Sequence, residues 1–202
     1  MRTSFLLPVA CGCVILAPVS AGPLSLDTWA ANPLVAGDTT FTFLSSSGLI
    51  TSAVQVEATE SSPHYELKLS SLSGHAAASF ELKYQVDIAG TDWFDTVGLG
   101  AQAAQPGTSV TATVFSDQFF NTIAAQPQTV VDTDSVSGGA VDGIQRRLYV
   151  WVQGTLNDAE LDWVVTTSEQ RSVPEPAATM AWTAAGIGAY ALGLRWRRRS
   201  AR

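Results

Sequence analysis

The chain has 202 residues, 46% hydrophobic and 14% charged, with a formal net charge of −7. That length and apolar share suit one domain with a substantial core, and the acidic balance argues against nucleic acid as a partner. Both cysteines fall at positions 11 and 13, which excludes a disulfide scaffold, a thiolate metal site and a cysteine nucleophile from the remainder.

At the N-terminus, Arg2 supplies a positive start and Phe5 to Val19 is apolar. Val19 and Ala21 stand at the −3 and −1 positions of a cleavage site before Gly22. This pattern predicts a secretory signal peptide over 1–21, removed to leave Gly22 as the new N-terminus. Pro8 and Ala10 sit where a lipobox at Cys11 or Cys13 would want a leucine-like residue, which disfavours a lipoprotein. From Gly22 to Val173 there are 17 acidic residues against Lys68, Lys83, Arg146, Arg147 and Arg171, about −12 for the exported part. Such a domain resists aggregation through its net charge.

The middle reads as all-β. Over Ala78 to Ile88, Phe80, Leu82, Tyr84, Val86 and Ile88 alternate with Glu81, Lys83, Gln85 and Asp87. That period of two predicts a half-buried antiparallel strand. Further strands are expected at Thr39–Leu44, Ile50–Ala58, His64–Leu72, Thr108–Phe115, Arg147–Leu156 and Leu161–Thr167. Ser47-Gly48, Ser62-Pro63, Ser73-Gly74, Gly90-Thr91-Asp92, Pro106-Gly107, Ser137-Gly138-Gly139 and Asn157-Asp158 punctuate them as turns. No segment shows a helical period. Short strands at this spacing predict a single antiparallel β-sandwich over 22–166, with an immunoglobulin-like arrangement as one topology that fits. Trp151, Trp163 and Phe80 are expected in its core. Thr167 to Ser172 is polar and reads as a linker.

Chemistry is sparse. His64 and His75 have no motif around them, and no Gly-x-Ser-x-Gly elbow, phosphate loop or His-Glu-x-x-His occurs. No catalytic residue, cofactor or metal ligand is assigned. The segment Asp132 to Gly143 carries carboxylates and glycines in the manner of a calcium loop. It departs from the EF-hand pattern at Ser137, its sixth position, and at Gly143, its twelfth. An ordinary hairpin loop is the expectation there. Asp92-Trp93-Phe94-Asp95 combines two rings with two carboxylates, so Trp93 and Phe94 are the candidate sugar contacts, set against a role plugging the edge of the sandwich.

At the C-terminus, Val173-Pro174-Glu175-Pro176 leads into Ala177–Leu194, which has 18 residues and no charge. At about 1.5 Å per residue this is the lower end of what spans a bilayer core, so 177–194 is expected to be one transmembrane helix. Arg195, Arg197, Arg198 and Arg199 follow and act as a stop-transfer cluster held in the cytoplasm. The order of Pro-Glu-Pro, one helix and terminal arginines resembles the PEP-CTERM sorting signal, here covering 173–202. The resemblance implies that an exosortase-type membrane protease recognises Val173, Pro174, Glu175 and Pro176. It also implies transient residence in the inner membrane, then release to the cell surface or medium. The expected product is a non-enzymatic protein of an exopolysaccharide or biofilm matrix. A carbohydrate-binding module of the same exported class is the alternative, and a hydrolase is third.

Overall fold

The structure, a computed structural model, describes residues 20–103, 107–131, 135–156 and 161–171. The expected signal peptide up to Val19, the expected sorting segment 173–202, Pro106, the expected turn at Asn157-Asp158 and the acids Asp132 and Asp134 lie outside the described residues.

Twelve strands and one short helix follow in chain order. They are β1 (Ser20–Ser25), α1 (Leu26–Ala31), β2 (Leu34–Ala36), β3 (Thr39–Leu49), β4 (Gln55–Ser61), β5 (His64–Ser70) and β6 (Ala76–Ile88). After these come β7 (Trp93–Ala103), β8 (Thr108–Phe115), β9 (Ile123–Val131), β10 (Ser135–Gln145), β11 (Arg147–Leu156) and β12 (Leu161–Arg171). All pairings are antiparallel, in the order β1-β4-β5-β12-β7-β10-β9-β8-β11-β6-β3-β2.

One strand turns this sheet back over itself. The first part of β10 pairs with β7 through Ser135 to Ala140, and Val141 then pairs with Ala125 of β9. Gly138 and Gly139 sit in that stretch, where glycine lets a strand bend and change partners. The two halves of the curled sheet thereby face each other. Tyr84 of β6 meets Thr166 of β12 hydroxyl to hydroxyl at 2.5 Å in the interior. Burial pushes ionisation of the Tyr84 phenol well above its usual range, partly offset by that hydrogen bond.

Alternation builds the core as expected. Phe80, Leu82, Tyr84, Val86 and Ile88 of β6 point inward together with Leu148, Val150, Val152 and Leu156 of β11 and Leu67 and Leu69 of β5. α1 seals one margin. Ser25 caps it by accepting from the Thr28 amide, and Leu26 and Trp29 are its buried residues. The Trp29 indole donates to the Phe41 carbonyl at 3.0 Å and packs edge-on against Phe43.

Several expectations are corrected. The helix α1 is too short to register as a period. The strand placed at Ile50–Ala58 begins at Gln55, because Ala53 and Val54 close a turn onto the Ile50 carbonyl. Ser47-Gly48 is a bulge inside β3, and Gly48 adopts φ 72 where an added Cβ would run into the Ser79 carbonyl. Thr167–Arg171 is strand, paired to Glu66, Tyr65 and His64 on one side and to β7 on the other. Buried Gln170 fastens its end, donating to Thr39 Oγ1 at 2.6 Å and to Asp38 at 3.3 Å. The acidic segment is likewise strand from Ser135 onward.

Candidate glycan-binding face

β11 has two unlike faces. Leu148, Val150 and Val152 are buried against the opposite half, while Arg147, Tyr149, Trp151, Gln153 and Thr155 alternate with them on the outer side, where Tyr149 is itself covered and only 6% exposed. Register aligns this outer set with its neighbours. Tyr149 lies between Gln85 and Phe115, Trp151 between Lys83 and Thr113, and Gln153 between Glu81 and Thr111. Ser45 and Ser47 of β3 extend the Lys83 and Glu81 rows. The result is an aromatic row set in a field of hydroxyls and amides.

The loop from Ser116 to Thr122 folds over one end of that row. Asp117 organises it: its carboxylate accepts the backbone amides of Phe119 at 2.9 Å and Thr122 at 2.6 Å, and of Asn121 at 3.3 Å. Partial desolvation of the carboxyl is outweighed by these hydrogen bonds, which hold its pKa below the usual carboxylate value. The anchored loop places Phe120 at φ 58, a left-handed conformation that costs a side-chain-bearing residue about 1 kcal/mol. In return the Phe120 ring meets Phe115, Tyr149 and Trp151 edge-on, at centroid separations of 5.3, 6.0 and 6.4 Å.

Lys83 occupies the centre. Its ammonium lies 4.3 Å from the Trp151 ring centroid and 5.1 Å from that of Phe120. Arg147 pairs with Asp87 and Arg171 with Asp95, whereas Lys83 rests on ring faces. Around it, Gln153 donates to Glu81 at 3.4 Å, and Thr111 and Thr129 share a hydrogen bond at 3.0 Å. The Trp151 indole nitrogen is buried beneath this cover with no partner among the described residues. Chemically, the face offers ring surface for the C–H side of a sugar, with hydroxyl, amide, carboxylate and ammonium groups for its hydroxyls.

Trp151 and Trp163 were both expected in the core, and both stand half-exposed on outer faces. Trp163 sits on the other half of the sheet, its indole donating to Gln102 and its ring under Lys68 at 5.5 Å. Phe80 alone of the three is buried. The candidate sugar pair divides as well. Phe94 is 0% exposed and lines the interior with Phe41, Tyr84 and Val97, so it has no face for a ligand. Trp93 is half-exposed at the start of β7, opposite Arg171 and far along the strands from Trp151. His64 starts β5 on the surface, and His75 lies in the turn before β6. Among the described residues no three His, Cys, Asp or Glu side chains are grouped to hold a metal, and no helix is long and apolar enough to cross a membrane.

No protein-family model matches the sequence. No curated protein matches it either. Solved structures similar to the fold include TmCBM27, a carbohydrate-binding module described for specific mannan recognition, at 6% identity and TM-score 0.41, over 78% of this chain and 100% of that one. Another is the module CBM6cm-2 from Cellvibrio mixtus lichenase 5A in complex with cellotriose, at 12% identity and TM-score 0.33, over 75% and 96%. The enzymatically active domain of bacteriophage CBA120 tailspike protein 4 is similar at 15% identity and TM-score 0.33, over 68% of this chain. The chain spans about a fifth of that domain's length.

Proposed function

We propose that this chain is an exported, non-catalytic protein whose β-domain binds polysaccharide through the outer face of β8, β11, β6 and β3. The observation that carries this reading is the partly exposed pair Trp151 and Phe120, backed by buried Tyr149 and bordered by Thr111, Thr113, Gln153, Gln85 and Lys83. An aliphatic row there would suggest a covered interface, and a charged row would suggest a solvated wall. Rings among hydroxyl, amide, carboxylate and ammonium groups suit a ligand that is apolar on its ring faces and polar at its rim.

In the same proposal the two halves of the curled sheet are the layers of a β-sandwich that begins at Gly22 after signal-peptide removal. The segment 173–202 is the sorting signal, handled by an exosortase-type protease at Pro174-Glu175-Pro176 during a transient stay in the inner membrane. The mature protein then acts at the cell surface or in an extracellular exopolysaccharide matrix. Its acidic balance supports solubility there and disfavours nucleic acid.

Affinity electrophoresis tests the binding directly. The protein should be retarded in native gels that contain exopolysaccharide purified from its own host, relative to gels without it. Equal mobility in both gels overturns the assignment.

A further inference from the structure

The strand topology brings the most exposed large apolar side chains to the end of the domain from which the C-terminal segment departs. β12 finishes at Arg171, opposite Trp93 of β7, and Gln145 at the end of β10 pairs with Phe94 beside it. Arg147 opens β11 immediately after, and Phe115, which leads into the loop carrying Phe119, faces Tyr149. Three tips therefore share this end: Trp93, Phe119 and Ile144. Phe119 and Ile144 are each 72% exposed, the highest values among the exposed large hydrophobics.

The same end is firmly built. The Ala89 amide donates to the Asp38 carbonyl at 2.8 Å, Ile88 to the Arg146 carbonyl at 2.9 Å, and the Arg146 guanidinium to the Thr91 carbonyl at 3.2 Å. Two of its carboxylates are ion-paired and others are hydrogen-bonded within the protein. Asp87 pairs with Arg147, Asp95 with Arg171, and Asp117 with its own loop amides. Asp92 and Asp142 stay beside Trp93 and Ile144, which confines any apolar contact to the headgroup zone and bars deep insertion.

We infer that this end, with Trp93, Phe119 and Ile144 at its tips, rests against the lipid headgroup region of the membrane that holds the tail. The inference relies on the proposal that Ala177–Leu194 is a membrane segment. Five residues, 172–176, separate Arg171 from Ala177. Fully extended they bridge only about 20 Å. Gln170 ties the end of β12 to Thr39 and Asp38, which keeps the tether short. A domain held that close presents its nearest surface to the interface, and aromatic and large aliphatic side chains are the groups that settle there.

The full-length chain is reconstituted in nanodiscs containing a phospholipid with a photoactivatable headgroup, and adducts are mapped by mass spectrometry. Adducts are expected on peptides spanning 91–94, 116–122 and 142–147 and not on 71–75 at the opposite end. The double variant Phe119→Ser/Ile144→Ser, altered only at exposed positions, should lose most of them while keeping the adducts of the tail. Tail adducts with none on the domain overturn the docking and leave the anchor standing. Failure of the chain to enter the nanodisc overturns both. Solution dimers that disappear in the double variant would assign the tips to a second copy instead, and also overturn it.

Discussion

Replacing Trp151 with Ala removes retardation by the host exopolysaccharide while the domain stays folded. The ring lies on the outer face, so its loss opens no interior cavity; Leu148, Val150 and Val152 continue to fill the core behind it. What disappears is the centre of the aromatic row, the seat of the Lys83 ammonium and the surface on which Phe120 rests. A central aromatic anchor is worth about 2 kcal/mol in binding, roughly a 30-fold loss of affinity. Trp163→Ala is the matched control, because that indole occupies an equivalent outer position on the other half of the sheet. Its retardation should equal wild type. Equal retardation of the Trp151 variant and wild type would remove the face from consideration.

Trp29→Ala has the opposite profile, with a large effect on stability. Trp29 is 1% exposed and is the only large aromatic of α1. It fills the space beside Phe43 and Tyr84, and it ties the helix to β3 through the Phe41 carbonyl. Truncation leaves a cavity at a margin where the six-residue helix has only Leu26 as its other buried side chain. A cost of about 3–5 kcal/mol follows, and a fall in Tm of roughly 10 °C. Thermal unfolding followed by circular dichroism reads this directly. A Tm within about 2 °C of wild type would mean that α1 does not close the core.

Where one face of a strand is apolar and the other polar, the sequence was enough. β8 and β11 have the expected ends, and β6 differs by two residues at its start. β7 was illegible because Gly98 and Gly100 stand where polar outward residues would mark the alternation of Val97, Leu99 and Ala101. β9 carries Pro127, which argues against a strand, and β10 carries the run Ser137-Gly138-Gly139, which argues for a turn. Both are made strands by pairing partners on their flanks, information that local sequence lacks. The polar end of β12 was read as linker for the same reason: Gln170 is buried by hydrogen bonds to residues about 130 positions away.

The face itself was missed although its signal was present. Trp151 shares parity with Gln153 and Thr155, and Leu148, Val150 and Val152 share the other, so period two already placed the ring outside. Parity along the strand, and not size or apolarity, decides which side the ring takes. Phe94 failed in the reverse sense. Its acidic neighbours suggested a surface site, but register shifts on both sides of β7, at Glu169/Gln170 and at Ala140/Gln145, set its side chain inward. The Phe120 loop had no sequence signature beyond an Asp two residues before an aromatic.

Hydrogen exchange of the whole chain with and without host exopolysaccharide separates the outer face of β11 from the rest of the domain. Polysaccharide bound there slows exchange over 79–87, 111–122 and 149–155 and leaves β4, β5 and β12 unchanged. Protection confined to β5 and β12 around Trp163, or no protection anywhere at saturating polysaccharide, would contradict binding at that face.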